Sequence, residues 1–164
     1  MTPPITFDDA VDVLDADHKA VKKMFIDYAS LCEDGAPAAA KHALAQKICE
    51  ALTIHAQLEE EIFYPEVRQA IDGDALIDEA LDDHADAKET IALIEAMDAG
   101  DPEFDDTVKL LGKIIDSHVL EEREQIFLMA RNGPLDLRGM TLPLLKRQQQ
   151  LKKKAAVAAV KEAA

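Results

Sequence analysis

Four stop signals, spaced widely along the chain, decide most of what it can become. Asp34-Gly35-Ala36-Pro37, Asp72-Gly73-Asp74, Gly100-Asp101-Pro102 and Asn132-Gly133-Pro134 each combine residues that end or start helices. The segments between them are far longer than ordinary strands and carry apolar residues at helical spacing. Thr6 followed by Asp9 is a capping-box-like start, with aspartate in place of Glu or Gln, for a first helix to about Glu33. A second helix is predicted from Ala38 to Ala70, with a kink or break at Pro65. A third spans Asp74 to Ala99. The fourth has Asp101 as N-cap and Pro102 at its first position, and ends at Asn132. Long helices with short connections predict an all-α, antiparallel up-down-up-down four-helix bundle. Thr141-Leu142-Pro143 is a start signal for an additional C-terminal helix. Residues 1–133 are thus read as the bundle and 134–164 as a basic, Ala/Lys-rich helical extension.

Composition narrows the function. Aromatic residues are 4% of the chain and tryptophan is absent, a mixture that favours helix over sheet. The net charge of −15 is uneven. Residues 140–164 hold six basic side chains against Glu162, a net of +5, so the first 139 residues carry −20. A bundle that acidic repels phosphate backbones and anionic lipid. No stretch is long and apolar enough to span a bilayer, and no basic-then-apolar leader opens the chain; the expected location is cytoplasmic. The basic tail is expected to pack loosely on the acidic bundle or to contact a partner or another subunit. Cys32 and Cys49 form no spaced metal motif and fall too far apart along neighbouring helices for a disulfide, so both are read as inert thiols.

The histidines carry the functional signal. His18, His55, His84 and His118 fall one on each helix, with His42 left over. The first and third turns lie at the same end of an up-down bundle. With those turns near residues 35 and 100, His18 is 17 residues before the first and His55 20 after it, while His84 is 16 before the second and His118 18 after it. At about 1.5 Å per residue this spread is roughly one helical turn. Four imidazoles therefore reach one level. Glu59 follows His55 by four and Glu122 follows His118 by four, so each carboxylate shares its histidine's face, one turn along. The second and fourth helices run the same way and are diagonal neighbours. Both carboxylates thus lie on one side of the histidine layer and approach the axis from opposite sides, which suits two bridging ligands between two metal ions. Leu14, Phe63, Ile91, Ile114 and Ile126 continue the same faces, placing the six residues in the buried stripe.

A single histidine on an apolar face is usually a hydrogen-bonded core residue, and a Glu four residues from a His is usually a solvated pair. The joint pattern argues otherwise. Burying two carboxylates costs several kcal/mol each unless they are neutralised, and a pair of cations satisfies all six groups together. His42 precedes His55 by 13 residues, a rotation of about 220° that puts it on the far, solvent-facing side.

A mixed imidazole and carboxylate set suits iron, with zinc and manganese as lesser candidates. No histidine has Glu three residues before it, so the ferritin-like Glu-x-x-His pattern is missing. No His-Glu-x-x-His motif is found either. The sequence resembles the hemerythrin-like (HHE cation-binding) family through Asp17-His18, His55-x-x-x-Glu59-Glu60-x-x-Phe63-Tyr64-Pro65, His84 and His118-x-x-x-Glu122, over residues about 10–130. The resemblance implies that His18, His55, His84 and His118 are terminal ligands. It implies that Glu59 and Glu122 bridge two oxo- or hydroxo-bridged iron ions, with dioxygen, another diatomic or a small anion bound at an open iron position.

One departure bears on function. Oxygen carriers of this family typically bear a second histidine on the third helix, as His-x-x-x-His. Here either Lys88 or Ala80 takes that seat, and neither can ligate as it stands. Sets of four His and two Glu also occur in hemerythrin-like iron-sensing and iron-centre-repair proteins, though nothing before His18 is a cysteine of the kind often seen in the latter. The primary expectation is a non-haem di-iron protein that senses, stores or carries dioxygen or a related small oxidant. The alternative is a di-iron enzyme of oxidative or nitrosative stress defence acting on peroxide or NO.

Overall fold

The computed structural model describes residues 7–163, all of whose regular elements are helical. The elements are α1 (Ala10–Glu33), α2 (Ala38–Leu58), a π turn (Glu59–Phe63), α3 (Tyr64–Ala70), α4 (Asp74–Ala96), α5 (Phe104–Glu121), a second π turn (Glu122–Ile126), α6 (Phe127–Asn132) and α7 (Thr141–Ala163). Helical hydrogen bonding runs unbroken through α2, its π turn and α3, and through α5, its π turn and α6. The result is four bundle rods and a fifth helix. α1 packs on α2 and α5, and α4 on α5 and α2. α1 and α4 are therefore one diagonal, and the His-x-x-x-Glu rods the other.

Local chemistry explains the boundaries. Asp9 is the N-cap of α1, its carboxylate accepting the Asp12 N–H at 2.9 Å; the Thr6 cap expected from sequence lies outside the described residues. Gly35, at φ +65°, takes the left-handed position that closes α1 and lets Ala36 N–H reach back to Leu31 O. α4 stops at Ala96 rather than Ala99, and Asp101 caps a short turn ahead of α5 by accepting Glu103 N–H at 2.9 Å. The kink or break expected at Pro65 takes the form of a π turn, Glu59–Phe63, immediately ahead of it. Pro65 sits in the first turn of α3, directly after the π turn, a helix-start position where its missing N–H is tolerated.

Two apolar clusters fill the bundle, and the gap between them is where the histidines lie. One holds Tyr28, Ile48, Leu52, Ile91 and Leu111 at the end closed by the first and third turns. The other holds Leu14, Leu58, Phe63, Tyr64 and Phe127. The second cluster takes in Met140, Leu144 and Leu151, so α7 docks its first half against α1 and α2, and residues 156–162 are exposed. Arg147 fastens this helix to Glu61 at 2.8 Å. No helix among the described residues is long and apolar enough to cross a membrane.

Both cysteines are free. Burial, with the Glu95 charge, pushes the Cys49 thiol up to about 12, and burial followed by the Asp105 charge raises that of Cys32. The thiolate is the reactive form. At pH 7.5 the folded protein is expected to leave Cys49 unalkylated by iodoacetamide over hours, while both cysteines react at once in guanidinium. Mass spectrometry of the alkylated protein reads this directly, and rapid native labelling of Cys49 counts against the packed core described here.

Candidate metal centre

Two π turns set the depth of the carboxylates. Each begins on the glutamate of a His-x-x-x-Glu pair: Tyr64 N–H bonds to Glu59 O, and Phe127 N–H to Glu122 O, both one residue farther than α-helical spacing. The wider turn inserts a residue, a deformation that clusters at functional sites. Glu59 and Glu122 end up 0% and 1% exposed in the core, with Phe63 and Ile126 buried beyond them.

All six residues singled out by sequence come together. The ligand atoms of His18, His55, Glu59 and Glu122 lie within 4.8 Å of one another, and so do those of Glu59, His84 and His118. Glu59 belongs to both groups. His55 Nε2 and His84 Nε2 lie 3.0 and 3.3 Å from Glu59 Oε1. Glu122 reaches both groups as well, with Oε1 at 3.1 Å from His18 Nε2 and Oε2 at 3.5 Å from His118 Nε2. Every imidazole turns Nε2 inward. Outward, Nδ1 faces a carboxylate: Asp15 for His18 at 3.3 Å, Asp17 for His55 at 3.0 Å, Asp83 for His118 at 3.2 Å, and Glu60 for His84 at a looser 3.6 Å.

This shell fixes the tautomers. A carboxylate accepting from Nδ1–H leaves the Nε2 lone pair aimed at the centre, the arrangement metal-bound histidines adopt. His18 Nε2 and His55 Nε2 then meet at 3.1 Å, a contact of two lone pairs unless a proton or a cation lies between them. The carboxylates pose the same problem. Both Glu59 oxygens, Glu122 Oε1 and His118 Nε2 are buried without a hydrogen-bond partner; the short His–Glu distances above lack the alignment of a bond. Unpartnered buried charge is among the costliest features a core can hold. His84 Nδ1 is unpartnered too, on the outward side facing Glu60; a pair of cations at the two groups answers the four inward-facing atoms at once, so the residues present fit the metal that their chemistry calls for.

Without metal, protons take the cations' place. Burial would lower the His55 imidazole, but the Glu59 charge and the Asp17 hydrogen bond overcome it and hold His55 well above its ordinary value. Burial likewise opposes protonation of His118, and Glu122 with Glu59 outweighs it, raising His118 to about 9. Burial acts to raise Glu59, and His55 and His84 more than reverse it, leaving that carboxyl well below its usual range.

Several participants were not legible as such. Tyr64, quoted within a motif but given no task, is buried, donates its hydroxyl to Glu122 Oε2 and sits 3.4 Å from His84 Nε2. Burial and the charges of Glu59 and Glu122 keep its phenol strongly protonated. It, rather than Lys88 or Ala80, fills the space between the third helix's histidine and the carboxylates. Lys88 reaches outward to Glu60 at 2.7 Å with its side chain half exposed, and Ala80 is buried among apolar neighbours. Phe127 stacks on the His18 ring at 5.6 Å. The Asp-His dipeptides of α1 and α4 were a usable signal: Asp17 and Asp83 each serve the histidine of the neighbouring helix, not their own. His42 stays apart from the centre, but it is half buried rather than solvent-facing, its ring lying against Phe104, the first residue of α5, at 5.8 Å.

Beside the histidines, on the side away from the carboxylates, lies a cavity of about 30 Å³ walled by Val21, Leu52, Ala87, Ile91 and Ile115, with Lys88 at its rim. One water needs about 10–15 Å³. The cavity therefore admits a molecule of two or three atoms and little more.

Comparison with known proteins agrees with this architecture. A profile of the hemerythrin HHE cation-binding domain matches residues 9–130. The chain is 33% identical over 122 residues to a protein of Nostoc sp. (strain PCC 7120) named DNA nickase, an alignment taking in 74% of this chain and 33% of that one. It thus spans about a third of that relative's length. The crystal structure of a hemerythrin HHE cation-binding-domain protein from Mycobacterium kansasii superposes with a TM-score of 0.74 at 19% identity, covering 91% of this chain and 90% of the other.

Proposed function

Since the chain belongs to the hemerythrin HHE cation-binding domain family, we propose that it is a non-haem di-iron protein binding dioxygen or another small oxidant. The observation that carries this reading is the shared, unpartnered Glu59 carboxylate between two groups of donors. His18, His55 and Glu122 complete one position; His84 and His118 complete the other, with the Tyr64 hydroxyl beside it. Nitrogen and oxygen donors without thiolate suit iron, then manganese or zinc. Bound iron supplies redox capacity and a vacant position for a small oxygen ligand.

The chain's own residues do the rest. Asp15, Asp17 and Asp83 hold three imidazoles in the ligating tautomer. The apolar cavity wall excludes bulk water and limits ligand size. The Tyr64 hydroxyl keeps its proton and donates it in a hydrogen bond to Glu122 Oε2. A phenolic proton beside the donor groups favours, as the second reading, an enzyme that consumes peroxide or NO, since reduction of either requires protons at the site. The nickase name belongs to a protein of which this chain matches one third, and the acidic bundle offers phosphate no welcome.

The test is metal analysis of the purified protein together with its absorption spectrum in the presence and absence of oxygen and azide. Two iron ions per chain and a charge-transfer band that either ligand alters are the expected result; an iron-loaded protein whose spectrum answers to neither defeats the proposal. Stoichiometric uptake without turnover supports binding, whereas sustained turnover of peroxide or NO supports the enzyme.

A further inference from the structure

We propose that Gln148, on a helix beyond the residues that the family profile matches, is a positioning residue for His55 and acts through Asp17. The inference rests on the metal reading above. The Gln148 amide donates to both Asp17 oxygens, at 3.0 and 3.2 Å. Asp17 Oδ2 faces His55 Nδ1 at 3.0 Å, and His55 Nε2 points into the centre. Three side chains from three helices thus lead from α7 to the first donor group.

The placement of Gln148 on α7 is the first argument. Leu144 and Leu151 are the residues α7 buries most fully, and Gln148 lies on the same stripe, four after one and three before the other. An apolar residue would serve docking alone. An amide in that stripe costs stability unless it is hydrogen-bonded, and its partner is the carboxylate that orients a ligand.

The second argument comes from the other histidines. Asp15, behind His18, is engaged by the Arg123 guanidinium at 2.6 Å, and Glu60, beside His84, by the Lys88 ammonium at 2.7 Å. Those anchors are cations, which offset the carboxylate's charge. Gln148 is neutral. It fixes the rotation of Asp17 while leaving the full negative charge to accept His55 Nδ1–H, so the Nε2 lone pair is held inward and kept basic. Asp83, behind His118, accepts from no other side chain among the described residues. Metal retention at the His18–His55 group therefore depends on one side chain of α7, through its amide contact with Asp17.

The experiment uses the full-length protein loaded with zinc and follows release of each ion to excess EDTA for wild type, Gln148→Ala, Gln148→Glu and Arg147→Ala. In parallel, proton–nitrogen spectra of the metal-free proteins follow the His55 ring N–H, and melting of the metal-free proteins reports packing. Gln148→Ala is expected to release one of the two ions about 10-fold faster, with the other unchanged and the metal-free melting temperature preserved. The His55 Nδ1 proton should exchange faster. Gln148→Glu, which sets a carboxylate against Asp17, should release that ion faster still, while Arg147→Ala, which loosens a different α7 anchor, should match wild type. Wild-type release by Gln148→Ala overturns the proposal. So does equal loosening of both ions accompanied by a lower metal-free melting temperature, the mark of a packing defect. A wild type that takes up no zinc refutes the metal reading instead, and the His55 proton in metal-free Gln148→Ala then decides the positioning role by itself.

Discussion

Replacing Glu59 by methionine is expected to stabilise the metal-free protein and to destroy its capacity for two ions. Glu59 is fully buried, and neither of its oxygens has an aligned hydrogen bond. Its compensation is proximity to His84 and to His55, which is held well above its ordinary value and must stay protonated to provide it. Methionine matches the length of Glu, adapts to irregular space and has no charge to desolvate. His55 can then lose its inward proton while keeping its Nδ1 partner in Asp17. Exchanging buried ionic groups for apolar ones of similar size is often neutral or stabilising, by about 1–4 kcal/mol. Metal inverts the ranking. Glu59 belongs to both donor groups, so its loss weakens both positions. Wild type saturated a thousandfold over its dissociation constant gains about 4 kcal/mol per site, and Glu59→Met forgoes most of that. Urea unfolding with chelator and with excess metal measures both halves. Should the variant prove markedly less stable than wild type in chelator, the carboxylate is already satisfied by the protein, and the case for a cation weakens.

The same carboxylate shows where sequence reasoning reaches and where it stops. The stop signals around Gly35, Gly73, Gly100 and Gly133 mark the rods because glycine, proline and capping aspartate act locally. Counting from those turns places four histidines on one level because helical rise is constant. The π turns at Glu59 and Glu122 escape such counting. Residues that form a π turn also form an α turn, and the choice is made by what the bundle buries. Pro65 marks the interruption without revealing its form: the α-helix gives way to a π turn ahead of it, and the proline lies in the first turn of the next α-helical segment. Tyr64 lies nine residues after His55 on the same rod, yet its partner Glu122 is on another. Asp17 and Asp83 stand next to one histidine and serve a different one. Contacts between helices depend on rotation about each axis, which one chain's periodicity constrains only to within a residue or so. Gln148 is the extreme case, since its partner is 131 positions earlier in the chain.

Raising pH from 6.5 to 9 should weaken the metal-free protein and leave the metal-loaded protein nearly level. In the metal-free protein His118 is raised from 6.5 to about 9, chiefly by Glu122 and Glu59 acting against burial, and His55 stands well above 6.5. A histidine whose folded value lies above its unfolded one contributes stability that is complete below pH 6.5 and is lost as pH rises through the folded value. The metal-free protein should therefore lose stability between pH 6.5 and 9, on the order of a few kcal/mol. Glu59, held well below 4.5, contributes above that pH and fades only in stronger acid, so it leaves this window flat. Metal removes the trend, because the ligating nitrogens have already shed those protons, as the unfolded chain has above pH 6.5. Each proton displaced strengthens apparent affinity about tenfold per pH unit until its group has titrated. The gap in melting temperature between loaded and metal-free protein should then widen steadily from pH 6.5 to 9, and calorimetric titrations in buffers of different ionisation enthalpy should count protons released as metal binds. Melting curves that run parallel across this range, with no proton release, would mean the inward imidazoles are neutral before metal arrives, and the proton-for-metal exchange on which the site's electrostatics depend would have to be given up.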